Sequence, residues 1–270
     1  MTKLCIKTLL VMLTWLGLAA CQESPTGRDQ LALLPDSVMA DMGRKEFAEL
    51  KRSQPLVTDP GINAAVQCIA GKVIAAARDE FPPELMPDDW EVAVFLNPAP
   101  NAFALPGGKI GVNTGMLEIA ASPAQLAAVI GHEVGHVLAD HGNERMTQQL
   151  GIESVLYIVG FLSEGEMGQQ QLLQALGIGS QLGISLPFSR AHEREADVMG
   201  LGLMAAAGFE PDQSVQLWRN MAALGGGQPP EFLSTHPANE SRIKLLEAGM
   251  APARERYRAV SPANCPPAIL

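Results

Sequence analysis

The chain has 270 residues, 47% hydrophobic and 18% charged, with a formal net charge of −10. That length and composition suit a globular domain with a full core and exclude a disordered chain. A surplus of acid also argues against a nucleic-acid partner, because a phosphate backbone demands a basic surface.

The first twenty residues read as an export signal: Lys3 and Lys7, an apolar run from Leu9 to Ala20, then small residues before Cys21. The run is too short for an ordinary membrane span. Leu18-Ala19-Ala20-Cys21 resembles the lipobox of bacterial lipoproteins, which implies cleavage after residue 20 and acylation of Cys21. Two or three acyl chains make a stable anchor where one is marginal. Gln22 stands where an Asp would favour retention at the inner membrane, so the expected address is the periplasm, on the inner face of the outer membrane. Cys68 and Cys265 would then lie in an oxidising compartment, and they are expected to pair.

Residues 21–34 are polar with Gly and Pro and read as a lipidated tether. Helical periodicity runs from about 35 to 80, broken at the Thr-Asp-Pro-Gly of 58–61. Residues 90–96 alternate as a mostly buried strand, and two short β pieces flank Pro106-Gly107-Gly108. Ser122, Pro123 and Gln125 then start a helix with an N-cap, a first-turn proline and a capping box. His141 and Gly142 read as its end. The apolar, Gly-rich segment 146–187 reads as two helices that form a lid over the cleft, and further helices fall near 190–207, 211–224 and 238–249.

The helix after Ser122 carries HEVGH at 132–136. His132 and His136 are four apart, so one turn of helix brings both rings to one face. Zinc in a hydrolytic site takes three protein ligands and keeps a fourth position for water. Glu133 lies about 100° round the helix, able to act as base without ligating. Apolar flanks such as Ala127, Val129, Ile130 and Val134 imply burial, and buried unpaired polar groups are costly unless something such as a metal satisfies them. His141 falls about 900° of rotation from His132, near the opposite face, and reads as a structural helix-end residue. In "SRAHEREADVMG", Glu193 and Asp197 share a face at i, i+4, suited to a carboxylate ligand and a carboxylate that accepts a ligand histidine's second N–H.

HEVGH followed by Glu193-Arg-Glu-Ala-Asp197 resembles the gluzincin-type zinc metallopeptidases of the HtpX and CAAX prenyl endopeptidase kind, and within them the LoiP- and BepA-like periplasmic proteases. The resemblance spans about residues 35–250. It implies an α+β, mostly helical zincin-like domain over 35–250 with a small sheet whose edge strand borders the cleft, followed by a C-terminal tail over 251–270. It implies one Zn2+ per chain, held by His132, His136 and Glu193, with Glu133 as base, Asp197 behind a ligand histidine, and Glu195 not a ligand. Asn101, Ala102, Phe103 and Ala104 match the family's edge strand, where an extended substrate adds by backbone pairing. In "STHPANESRI", His236 is expected to reach the active site, where it stabilises the oxyanion or closes the fourth zinc position at rest, and Arg242 lies nearby. The function expected is cleavage of misfolded or unassembled envelope proteins, with the membrane reached through Cys21 and the outer-membrane assembly machinery as a further partner. The other reading is a non-catalytic, zinc-containing assembly chaperone for outer-membrane proteins.

Overall fold

In a computed structural model, described for residues 22–151, 188–223, 231–236 and 240–268, the chain opens on a small hairpin, β1 (Gln22–Glu23) against β2 (Asp29–Gln30). Residues 22–34 are therefore not the free tether that their composition suggests. Ser24 and Gln30 are buried, and Ser24, Thr26 and Arg28 bond to the Glu195 carboxylate. Leu34 N–H donates to Asn143 Oδ1 at 3.1 Å, and Asn143 Nδ2 returns a bond to Leu34 O at 2.8 Å. Polar side chains here answer buried partners rather than solvent, which composition alone does not reveal. Residues 1–21 and 152–187, with the signal, Cys21 and most of the expected lid, lie outside the described residues.

Helices α1 (Asp36–Ser53) and α2 (Pro60–Glu80) follow; the break between them covers 54–59, a little before the expected 58–61, because Pro60 and Gly61 already belong to α2. Asp59 caps α2 by accepting from Ile62 N–H, and Pro60 takes the first position, where a missing N–H costs nothing. The apolar face of α2, including Val66, Ile69, Val73 and Ala77, is fully buried. Strands β3 (Glu91–Phe95), β4 (Ala102–Leu105) and β5 (Lys109–Asn113) form one sheet in the order β3-β5-β4. β3 runs parallel to β5, and β4 lies antiparallel to it at the edge. The β4–β5 turn needs Gly107 and Gly108, whose φ angles of 77° and 75° lie in the left-handed region.

The remaining described helices are α3 (Thr114–Ile119), α4 (Pro123–Leu138), α5 (His141–Leu150), α6 (Arg190–Ala206), α7 (Asp212–Ala223), α8 (Glu231–Thr235) and α9 (Glu240–Arg258). The architecture is α+β, with α4 at the centre, packed by α2, α6, α7 and the sheet. The α4–α6 crossing is unusually close. A Cβ on Gly200 would stand 2.7 Å from the His132 backbone nitrogen, and one on Gly131 would stand 2.9 Å from Gly200 O. Glycine at both positions lets the two backbones meet and carries Glu193 to the histidines.

Two expectations about boundaries are corrected. α4 ends at Leu138, and Asp140, at φ 50°, turns the chain so that His141 opens α5 instead of closing α4. An Asp tolerates the left-handed region better than most residues, which makes the break affordable. Residues 251–268 are no loose tail either. α9 continues through Pro252 to Arg258, Ala263 N–H donates to Gly208 O at 2.7 Å, and Cys265 is joined to Cys68 with Cα atoms 5.8 Å apart. A cross-link over a sequence separation of 197 constrains the unfolded chain, a stabilisation of about 5 kcal/mol in the chain-entropy picture.

Candidate metal centre and catalytic cleft

The site starts from two helix beginnings. Ser122 Oγ accepts from Gln125 N–H at 3.2 Å to start α4, and Ser189 Oγ accepts from His192 N–H at 3.2 Å to start α6. One turn apart on α4, His132 and His136 bring their Nε2 atoms within 3.0 Å. Glu193, in the first turn of α6, places Oε1 3.4 Å from His136 Nε2 and Oε2 3.5 Å from His132 Nε2. His236 follows α8, its backbone N–H held by Phe232 O at 2.8 Å and its ring stacked on the Phe232 ring. Its Nδ1 lies 2.9 Å from Glu193 Oε1 and 3.2 Å from His132 Nε2.

One donor atom from each of His132, His136, Glu193 and His236 lies within 4.8 Å of the others, and all four residues are buried. The set suits a divalent metal: three imidazole nitrogens and one carboxylate converge without enough protein hydrogens to separate them. One oxygen supports this. Glu133 Oε1 is buried with no hydrogen-bond partner. Glu193 Oε2, by contrast, is ion-paired with Arg242 Nη1 at 2.6 Å. Buried acceptors left unsatisfied are costly, and a cation relieves that cost.

The electrostatics point the same way. Burial favours the neutral ring of His132, but Asp197 and Glu193 overcome it and push the imidazole up to about 9. Burial would raise Glu193, yet His236, His132 and His136 hold its carboxyl well below the usual range. Positive charge is thus favoured at His132, while burial keeps the His136 ring neutral, well below the usual imidazole range. Burial raises Glu133 despite the opposing His236 and His132, as suits a group that must take and return a proton. The backbone of Ala104 on β4 opposes that shift, which puts Glu133 close to the edge strand.

Behind the ligands, Asp197 Oδ1 lies 3.1 Å from His132 Nδ1. Arg242 donates to both Asp197 oxygens at 2.6 Å, and its guanidinium covers the Trp218 ring at 3.8 Å. Asp197 and Arg242, 45 residues apart in sequence, thus meet where the sequence reading places them. Of the edge-strand residues, Ala104 alone lines the small cleft beside His136, with Pro106, Arg145 and Phe188. Asn101, Ala102 and Phe103 are buried, and Phe103 packs near the Phe95 ring at 5.9 Å and over Gly111.

The sequence reading misses the rear of the site. His141, expected on the far face, is fully buried with Nδ1 2.9 Å from His136 Nδ1, because the turn at Asp140 redirects it. Phe188 stacks on His136 with centroids 4.0 Å apart, and Arg145 lies 4.0 Å over the Phe188 ring. Burial lowers Arg145 to about 10, against the pull of Glu133 and Glu193. The Asp-His-Gly of 140–142 was the available signal for a helix break, since Asp and Gly both favour turns.

Two imidazoles and a carboxylate from crossed helices, with a second carboxylate free beside them and a sheet edge along the cleft, are the arrangement of a metallopeptidase. The comparisons agree. The model of peptidase family M48 matches residues 61–249, and the chain belongs to that family. A mitochondrial metalloendopeptidase OMA1 of Arabidopsis thaliana is 42% identical over 157 residues, covering 58% of this chain and 31% of its own. The OMA1 metalloendopeptidase of Danio rerio is 33% identical over 259 residues, 90% of this chain and 52% of its own. A putative beta-barrel assembly-enhancing protease of Vibrio cholerae is 28% identical over 225 residues, 81% of this chain and 44% of its own. The chain spans from about a third to about half of the length of these relatives.

Proposed function

We propose that the protein is a zinc-dependent endopeptidase, tethered through a lipidated Cys21 on the periplasmic face of the outer membrane, that cleaves misfolded or unassembled envelope proteins. The observation that carries the catalytic reading is Glu133, a buried carboxylate with one oxygen unpartnered, placed beside the ligand cluster and close to Ala104 of the edge strand. A chaperone with a purely structural zinc has no use for such a group.

His132, His136 and Glu193 would hold the metal, and zinc in such a site supplies a Lewis acid for water and for the scissile carbonyl. Glu133 takes the proton of the attacking water and passes it to the leaving amine, its burial keeping its affinity for the proton high. β4 pairs with the substrate backbone, which selects extended chains over folded ones. His236 Nε2 stands 3.6 Å from Glu133 Oε1, within the space that the reacting carbonyl would enter. Withdrawn from the cluster, it donates to the developing oxyanion. Zinc is favoured by the imidazole-rich, four-coordinate donor set. The address rests on the signal-like residues 1–20 and the lipobox-like stretch before Cys21. The relatives named mitochondrial and the relative named for beta-barrel assembly both match, so similarity alone supports neither location.

His236 in the cluster favours a second reading, a resting site closed by its fourth protein ligand, as in an assembly chaperone. Casein cleavage by the full chain separates the two. The protease reading expects cleavage by wild type, a loss of at least about 10³-fold in Glu133→Gln with zinc retained, and a gain in His236→Ala if closure is the dominant role. No cleavage by wild type or by His236→Ala would favour the chaperone.

A further inference from the structure

The side of His136 that faces away from the metal centre is tied to a second buried cluster. Glu195 lies two residues beyond Glu193 on α6, and its carboxylate turns toward the N-terminal hairpin. Oε1 accepts from Ser24 Oγ and, at 2.5 Å, from Thr26 Oγ1. Oε2 accepts from Arg28 Nε at 2.6 Å and lies 3.1 Å from His141 Nε2. Arg28 Nη2 also reaches Glu144 Oε2 at 2.8 Å, so one guanidinium joins α5 to α6.

Proton counting along this chain, taken with the metal reading of the site, allows one arrangement. An ionised carboxylate has no hydrogen to give, so His141 Nε2 carries the proton and donates it. Ligation by His136 through Nε2 needs that atom bare, which puts the one proton of the neutral ring on Nδ1; two ring nitrogens 2.9 Å apart share a single proton, so His141 is neutral in the same arrangement. A neutral imidazole has one N–H, so His141 Nδ1 offers a lone pair. That lone pair faces His136 Nδ1 at 2.9 Å, and His136 Nδ1 must therefore bear the proton. His136 is left with a bare Nε2, the atom aimed at the centre.

We propose that His141 and Glu195 are positioning residues for the metal centre: they lock His136 in the tautomer that ligates through Nε2, and Ser24, Thr26 and Arg28 of the hairpin complete their anchor. His132 receives the same service directly from Asp197. His136 receives it through an intervening ring, from a carboxylate whose other bonds all come from the segment next to Cys21. The inference rests on the metal reading of the site and is independent of peptide cleavage.

The test uses the full chain in detergent, with 15N-labelled histidine, and reads two quantities. One is the zinc dissociation constant by chelator competition; the other is the His136 tautomer in metal-free protein, from two-bond 1H–15N couplings. Wild type is expected to show the Nδ1–H tautomer. His141→Leu should populate the Nε2–H form and weaken zinc about 10–100-fold. His141→Asn, whose Oδ1 replaces the Nδ1 acceptor, should recover affinity to within about threefold of wild type. Arg28→Met, remote from the ligands, should weaken zinc about 3–10-fold, and it carries the test if His141→Leu does not fold. An Nε2–H tautomer in wild type would overturn the proposal. So would unchanged zinc affinity in His141→Leu and Arg28→Met, or equal weakening by His141→Leu and His141→Asn, the mark of packing alone. Failure of wild type to bind zinc would instead sink the metal reading, while the tautomer of the metal-free protein would still report on the lock.

Discussion

Two buried polar clusters sit back to back between α4, α5 and α6. The front one gathers His132, His136, Glu193, Asp197, His236 and Arg242; the rear one gathers His141, His192, Glu144, Glu195 and Arg28. Their ingredients are alike: imidazoles, two carboxylates and a single arginine. Their bookkeeping of hydrogen bonds differs. In the rear, both oxygens of Glu195 and Oε2 of Glu144 meet protein donors, and only the neutral acceptor His192 Nδ1 lacks a partner. In the front, Glu133 Oε1, beside these residues, meets no donor while imidazole nitrogens and the Glu193 carboxylate converge on the same space. Composition does not distinguish a scaffold from a binding site; the unsatisfied atoms do.

That contrast is open to attack by substitution. Glu193→Ala removes a converging ligand and should weaken zinc by more than about 10³-fold while the metal-free protein still folds; chelator competition and circular dichroism would show it. Arg242→Met leaves Asp197 and Glu193 buried without their cation, and should destabilise metal-free protein by about 3–5 kcal/mol. Zinc supplies the missing charge, so thermal melts should show a larger stabilisation by zinc in this variant than in wild type. Equal zinc shifts in the two proteins would mean that Arg242 does not stand in for a cation.

Asp140 sharpens the comparison at the junction of the clusters. Burial, with Asp36 and Glu144 nearby, raises its carboxyl to about 7 although Asn143 opposes the shift. Its folded value lies above its unfolded one, so its contribution is greatest below pH 4 and is lost as pH rises through 7. Asp140→Asn keeps the left-handed turn and removes the charge, and should be more stable than wild type by on the order of 2 kcal/mol at pH 8 with no gain at pH 4. Denaturant melts at the two values check this, and an equal gain at both would assign the effect to something other than ionisation. The smallest effect is expected in the rear: Glu144→Gln keeps an acceptor for Arg28 and His192 and should cost about 1 kcal/mol, with the zinc shift of wild type unchanged.

The front cluster was legible because helical periodicity converts spacing into geometry. HEVGH fixes two rings and a base on one helix, Glu193 and Asp197 share a face of the next, and the resemblance pointed to His236 and Arg242. The rear cluster was not legible, for two physical reasons. One residue, Asp140 at φ 50°, breaks a helix that periodicity continues, and it swings His141 from the far face to the back of His136. The Ser24, Thr26 and Arg28 contacts span more than 160 residues of sequence, and nothing local in a polar, Gly- and Pro-containing stretch separates a tether from a strap. The last helix escaped in part for a similar reason: Pro252 suggests a stop, yet α9 carries it to Arg258.

Metal analysis of the purified full chain, by mass spectrometry on wild type and Glu193→Ala side by side, tests the central claim most directly. The account predicts one zinc per wild-type chain and a loss of that zinc in the variant. Folded wild type with no stoichiometric metal, or a variant that holds zinc as fully as wild type, would contradict it.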